Sequence, residues 1–361
     1  MTGKHAERHR IGLSFRWIAA LALVPCGAAV AQDDLQGGAN PPAGAWPVRP
    51  EQTEPRIQRW AELFPDLVVL DQRPTLGGHT AYAVTVGRSK SGDAAKPRLI
   101  FAQPHAHEPA TTAGMMDLLC QLLEGKHLDG RPSDLDRDRI LAAAVLTFIP
   151  DGNPDGRAKA PEPWWDGSKF TNDEFIDLAF GRTQAGRRFP RQGRWSIRKQ
   201  QPARLGFVYE RISDHEYVEP NRDRQSTFFK LLTGALAKPG CKLIVDLHQT
   251  EFTGSPYNAM MILPFMQNDL PEPIQAANRR AAEAIIEAWR QMGARPIPEA
   301  KPLGYGEDQL RYFRQCYSDI FPQVPHVTVE VQNNSPKTPA TVQQQLIETS
   351  IRAAIRCAID P

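Results

Sequence analysis

The chain has 361 residues, 41% of them hydrophobic and 23% charged, with 43 Lys and Arg set against 41 Asp and Glu for a net charge of +2. That is the composition of an ordinary globular protein, long enough for one large α/β domain or two smaller ones. Its near-neutral balance excludes a global electrostatic reason to bind nucleic acid or a membrane surface.

Residues 1–31 read as a cleavable signal peptide: "KHAERHR" is a basic start, "WIAALALV" an apolar core and "AVAQ" a small-x-small cleavage signal. The mature chain is expected to begin at Gln32 and the protein to be periplasmic or secreted. The apolar run falls short of the about 20 residues a transmembrane helix needs. Cys26 follows Pro25, a poor match to a lipidation site, so no stable membrane anchor is expected. Cys120, Cys241, Cys316 and Cys357 remain; in an oxidising compartment they can pair in three ways, and none has a metal-binding spacing. Residues 32–54, rich in Gly, Pro, Ala and Gln, read as a linker or an arm lying over the domain, and residues 55–361 as one folded body.

Within that body the pattern predicts a helix at 55–64, strands near 67–71 and 80–87, and the apolar strand "RLIFAQ" at 98–103. Helices follow at 109–124 and 133–142, then the strand "AVLTFIP" at 144–150. Further on come "KLIVDLH" at 242–248, "AMMILP" at 259–264, a long helix at 272–292, "HVTVEVQ" at 326–332 and a closing helix from about 340. Apolar strands interleaved with helices predict an α/β fold with a largely parallel sheet covered on both faces. Sites in such sheets lie at the carboxyl ends of the strands.

Four residues meet that rule. His105 and Glu108, in "FAQPHAHEPATTAG", sit just past one strand, His248 closes another and Glu330 lies within a third. A catalytic zinc takes three protein ligands, such as two His and one Glu, and keeps a fourth position open. His105, Glu108 and His248 therefore read as the ligands of one Zn2+ per chain. Glu330 reads as the free carboxylate that takes a proton from water, since an unpaired acid inside the apolar strand "TVEV" is costly. The motif H-E-x-x-H fails at "HEPAT", where Thr111 stands in the place of the second histidine, which leaves His107 the weaker ligand candidate. His79, His127, His215 and His326 lack such a context and read as structural.

At these positions the sequence resembles the zinc metallocarboxypeptidases of the funnelin type. Their H-x-x-E is matched by "HAHE", their N-P-D-G by "NPDG" at 153–156, their Asn-Arg pair by "EPNRD" at 219–223, their third zinc ligand by His248 in "VDLHQT" and their catalytic glutamate by Glu330 in "VTVEVQ". Order and spacing agree, with 143 residues from His105 to His248 and 82 from His248 to Glu330, and the resemblance spans about residues 95–335. It implies a single domain over 55–361 with a mixed, mainly parallel central sheet and helices on both faces. It also implies hydrolysis of the amide next to the free C-terminal carboxylate of a peptide, whether dietary, secreted or from a cell wall. Asn221 and Arg222 would hold that carboxylate, to which a guanidinium offers a planar fork. Glu219 would orient His105, with Glu in the place of a family Asp. The oxyanion arginine would be Arg198, or else Arg194, in "GRWSIRKQ", and the tyrosine closing over the substrate Tyr305 or Tyr312.

Several of these features admit plainer readings. "NPDG" makes a turn, and Asn221 or Asp223 would serve as a cap for a helix beginning at "QSTFFKLL". The stretch Arg182–Arg204, with seven arginines and one lysine and no acid, is a solvated surface or a face turned to an anionic substrate or polymer. Trp164 and Trp165 line a lid or pack the insertion between Asn153 and Asn221. Two other functions stay open: an N-acyl amino acid deacylase or desuccinylase on the same scaffold, which "DLHQT" and "VEV" also suit, and a non-catalytic peptide-binding module, against which stands the complete set of ligands and base.

Overall fold

The computed structural model describes residues 41–361 apart from 43, 88–95, 190–192, 252–253 and 361. The segment read as a signal peptide lies outside the described residues. Among those residues no helix is long and apolar enough to cross a membrane, and Cys120, Cys241, Cys316 and Cys357 are all free thiols.

The main sheet holds β1 (Val68–Pro74), β2 (Thr80–Val86), β3 (Arg98–Ala102), β4 (Val145–Ile149), β5 (Cys241–Thr250), β6 (Ala259–Leu263), β7 (Lys301–Pro302) and β8 (His326–Gln332), in the order β1-β2-β4-β3-β5-β8-β6-β7. β4, β3, β5 and β8 run parallel at its centre, while β2 joins β4 and β6 joins β8 antiparallel. The sheet is therefore mixed with a parallel middle. Its principal helices are α1 (Pro50–Leu63), α2 (Pro109–Glu124), α3 (Pro154–Lys159), α4 (Thr227–Leu236), α5 (Glu272–Gln291), α6 (Glu307–Tyr317) and α7 (Ala340–Ile359).

The central strands are apolar on both faces because both faces are covered. Phe101, Val245, Leu247, Val327, Val329 and Val331 point into a core shared with α2, α5 and α7. Ile100, Ala102 and Ile244 point the other way, toward α4 and α6. Side chains two apart share a face of a strand, so Asp246 and His248 follow Ile244 onto the α4 side, and Thr328 and Glu330 join them there. The β5–β8 register sets His248 directly beside Glu330. Two polar residues thus enter the sheet's interior side by side, at one face and near the strands' carboxyl ends.

Several elements differ from the sequence expectation for identifiable reasons. α1 starts at Pro50, whose fixed φ suits the first helical position. Ahead of it Trp46 and Val48 are buried, with Trp46 Nε1 donating to the Pro163 carbonyl at 2.8 Å. The helix expected at 133–142 spans only Arg137–Ala143, capped by Asp136. α4 is capped by Ser226, whose hydroxyl accepts from Phe229 N at 3.1 Å, and not by Asn221 or Asp223. α6 has no counterpart in the pattern reading, although Leu310, Phe313 and Tyr317 recur in it at helical spacing.

The insertion between Asn153 and Asn221 has its own aromatic core of Trp165, Phe175, Phe180, Phe189, Trp195, Phe207 and Tyr209. Trp165 is buried within it, while Trp164 sits edge-on to Trp46. "NPDG" does more than turn the chain. Asn153 caps α3 through Gly156 N at 3.0 Å, and Asp155 accepts from Thr75 Oγ1 at 2.6 Å and Gly77 N at 2.7 Å, tying α3 to the β1–β2 hairpin. A Cβ at Gly156 would collide with the Phe207 carbonyl oxygen. Gly156→Ala is therefore expected to cost about 1–3 kcal/mol, the usual range for forced overpacking, read as a lower urea midpoint at unchanged m value; an unchanged midpoint would show that the close approach is slack.

Candidate metal centre

β3 delivers the chain into a tight turn, Gln103 to Glu108, that opens α2 with Pro109 at its first position. The turn buries His105, His107 and Glu108, and β5 brings in His248, also buried. His105 Nδ1 lies 3.0 Å from Glu108 Oε1 and 3.2 Å from His248 Nδ1, and His248 Nδ1 lies 3.1 Å from Glu108 Oε2. Ligands 2.0–2.2 Å from a tetrahedral ion stand about 3.3–3.6 Å apart, so a slight expansion of this trio would seat one. A second trio, His105, His107 and Glu108, has ligand atoms within 4.8 Å of one another. It is looser: His107 Nε2 is 3.5 Å from Glu108 Oε1, and its ring is engaged with Phe180 at 5.3 Å.

Both imidazoles of the tighter trio turn Nδ1 inward and Nε2 outward. Outside His105, Nε2 meets Asn221 Oδ1 at 3.0 Å and Glu219 Oε1 at 3.5 Å. Outside His248, Nε2 meets Asp246 Oδ2 at 3.1 Å. Acceptors there hold the proton on Nε2 and leave the Nδ1 lone pair facing the shared point, which is how outer carboxylates orient ligating histidines. Asp246 was missed in the sequence reading, although an acid two positions before His248 on an apolar strand is a visible signal. Asn221, expected to hold the substrate's carboxylate, also contacts His105.

The electrostatics favour a cation. Burial alone would raise Glu108, but His105, His248 and His107 reverse this and hold it well below the usual carboxylate range. Burial likewise opposes a charged His248, yet Asp246 and Glu108 outweigh it and hold its pKa well above the usual imidazole value. Glu330, beside them, is pushed by burial up to about 8; His248 pulls it down, and Glu108, Glu251 and Asp246 push it further up. Its Oε2 is buried without a hydrogen-bond partner.

A second cluster stands against the first. Arg222 pairs with Glu219, its Nη1 is 3.2 Å from Asn221 Oδ1, and its Nη2 donates to Gln309 Oε1 at 3.4 Å. Phe313 of α6 covers the guanidinium at 5.1 Å, and Tyr305 stacks on Phe313 at 4.8 Å. Tyr312 closes on Gly193: a Cβ there would fall 2.6 Å from the Tyr312 ring and 2.7 Å from the Arg222 carbonyl oxygen. Both tyrosine candidates therefore border Arg222. Arg194 sits opposite Val218 in a short ladder beside this turn, and its Nε lies 3.1 Å from Asp223 Oδ2. Arg198 is exposed on the short helix Ile197–Gln200.

The architecture is that of the metallocarboxypeptidases. A metallo-carboxypeptidase from Burkholderia cenocepacia superposes with a TM-score of 0.54 at 14% identity, over 86% of this chain and 69% of that one. Carboxypeptidase A from Helicoverpa armigera does so with a TM-score of 0.52, also at 14% identity, over 86% of this chain and 73% of that one. At such identity the likeness carries the fold alone. No family model matches the sequence, and no curated protein matches it.

The position of Glu330 gives a signed pH effect. Its pKa rises from 4.5 to about 8 on folding, so the native state binds the proton more tightly; the resulting stability is present below pH 4.5 and is lost as pH rises through about 8. Metal-free protein should therefore lose stability across that window, and Glu330→Gln should flatten the slope in denaturant titrations. Equal slopes in the two proteins would show that Glu330 is solvated.

Proposed function

We propose that the protein is a zinc-dependent hydrolase of carboxypeptidase type, cleaving the amide bond next to the free C-terminal carboxylate of a peptide. The observation that carries this reading is the convergence of His105 Nδ1, Glu108 and His248 Nδ1 on one point with Glu330 in register alongside. Zn2+ held by these three residues would supply Lewis-acid polarisation of the scissile carbonyl and ease the ionisation of water. In its ionised form Glu330 takes the proton of the attacking water on Oε2, which has no hydrogen-bond partner among the described residues, and passes it to the departing amine. Asn221 and Arg222 anchor the terminal carboxylate, with Glu219 orienting both Arg222 and His105. Arg198 serves as the oxyanion donor, because Arg194 is committed to Asp223 whereas Arg198 is exposed and forms no ion pair among the described residues. Tyr305 and Tyr312, bordering Arg222, are the groups that meet the substrate's end. The basic, apolar and small-residue pattern of residues 1–31 supports export to the periplasm or beyond, where secreted or cell-wall peptides are the substrates within reach.

Three measurements test this. Purified protein should carry one zinc, lost in His248→Ala and kept in His107→Ala; the reverse pattern would shift the centre to the His105, His107 and Glu108 trio. Glu330→Gln should retain zinc and fold while turnover falls by several orders of magnitude, because proton transfer alone is removed.

The clamp is tested with a peptide, its C-terminal amide and an N-acyl amino acid. An amide offers the Arg222 guanidinium no anionic partner beyond Glu219, which already pairs with it, so the amide should be cleaved more slowly, by less than the about 2–5 kcal/mol of a buried charge left wholly unpaired, with Arg222→Ala erasing most of the difference. Equal rates on peptide and amide would exclude a carboxypeptidase, and activity confined to the N-acyl amino acid would assign a deacylase.

A further inference from the structure

Arg157 follows "NPDG" directly, and the proposed chemistry has no use for it. It is 1% exposed, a whole guanidinium taken into the protein interior. Its Nη2 donates to the His105 carbonyl oxygen at 3.2 Å, while Nε and Nη1 are buried with no hydrogen-bond partner among the described residues. The same carbonyl accepts from Gln103 Nε2, which also reaches the Glu108 carbonyl at 3.4 Å. Burial holds the Arg157 pKa down to about 10, with Asp151 and then Glu108 raising it, so the group is charged at neutral pH and lies in the field of the Glu108 carboxylate.

The helix that carries Arg157 is fixed from several sides. Asn153 caps its start and Asp155 ties it to the β1–β2 hairpin. At its other end Arg49 donates to the carbonyls of Arg157, Ala158 and Ala160 at 3.3, 3.1 and 2.7 Å. Asp151 faces the guanidinium, its Oδ1 accepting from Asn153 N at 3.0 Å. A side chain that only balanced Asp151 would have no reason to reach the backbone of His105.

We propose that Arg157 is a positioning residue for the metal centre: through its hydrogen bond to the His105 carbonyl it holds the His105–Glu108 turn in the one conformation that points both ligand atoms at His248. The inference rests on the metal reading above. It assigns "NPDG" the task of building the platform from which Arg157 is inserted.

The test compares wild type, Arg157→Met, Arg157→Lys and the double variant Asp151→Asn/Arg157→Met, which removes both buried charges and so avoids leaving Asp151 alone. Zinc affinity is measured by competition with a chromogenic chelator, and the thermal midpoint is taken with and without metal. Both Met-containing proteins should bind zinc about 10–100-fold more weakly, the size typical of lost support around a ligand. Arg157→Lys, long enough to reach the carbonyl, should recover most of the affinity. In the double variant the zinc-induced rise in midpoint should shrink while the metal-free midpoint stays close to wild type. Wild-type affinity in the double variant would overturn the proposal and reduce Arg157 to a partner for Asp151. A wild-type protein that binds no zinc at all would sink the metal reading itself, and this inference with it.

Discussion

Three lone-pair atoms, His105 Nδ1, Glu108 Oε1 and His248 Nδ1, are held within 3.4 Å of one another inside the protein. A buried carboxylate is costly unless its charge is met, and the neighbouring imidazoles meet part of that of Glu108. The surroundings show what meets it. Glu108, Glu219, Asp246 and Glu330 gather around two imidazoles, with the guanidinium groups of Arg157 and Arg222 as the fixed cations nearby. With His248 held protonated and Glu330 held neutral the charges come near balance, and a cation at the shared point would stand in for those protons. β5 contributes rigidity that a loop lacks, since His248 sits in a strand paired on both sides. The turn from Gln103 to Glu108 is the weaker partner, and it is the one braced by side-chain donors on its carbonyls.

Glu219 links that centre to the carboxylate clamp. It is fully buried, and its carboxylate reaches His105 Nε2 on one side and Arg222 on the other. Arg222 is thus already paired, and any anion arriving there would gain less than at a lone guanidinium. Phe313 and Gln309 of α6 complete the enclosure, so recognition at Arg222 involves a helix more than eighty residues further along the chain.

The candidate ligands and the candidate base were legible because each stands at the end of, or inside, a run whose apolar character makes a charge conspicuous. "TVEV" and "VDLH" announce Glu330 and His248 without any knowledge of neighbours, and the period of two then fixes their face. What joins distant segments was not legible. Asn221 contacts His105 across 116 residues of chain, which no local pattern contains, whereas Asp246, two positions before His248 on the same strand, was open to a local reading. α6 escaped because it packs through a few aromatic residues, Phe313 and Tyr317, in an otherwise polar helix. The cap of α4 was misjudged by a few residues because Asn221, Asp223 and Ser226 are all good caps, and the tertiary demands on the first two decided the matter.

The basic stretch Arg182–Arg204 shows the same limit in its sharpest form. In sequence it carries no acid, yet Arg182 pairs with Asp177, Arg188 with Asp173 and Asp177, and Arg194 with Asp223, all supplied from outside the window. Arg187, Arg198, Lys199 and Arg204 are left exposed. With three of its arginines paired, the stretch carries less free positive charge than its sequence suggests, and exposed charges are screened within about 8 Å at physiological salt. The folded charge distribution thus weakens the reading of this stretch as a face turned to an anionic polymer.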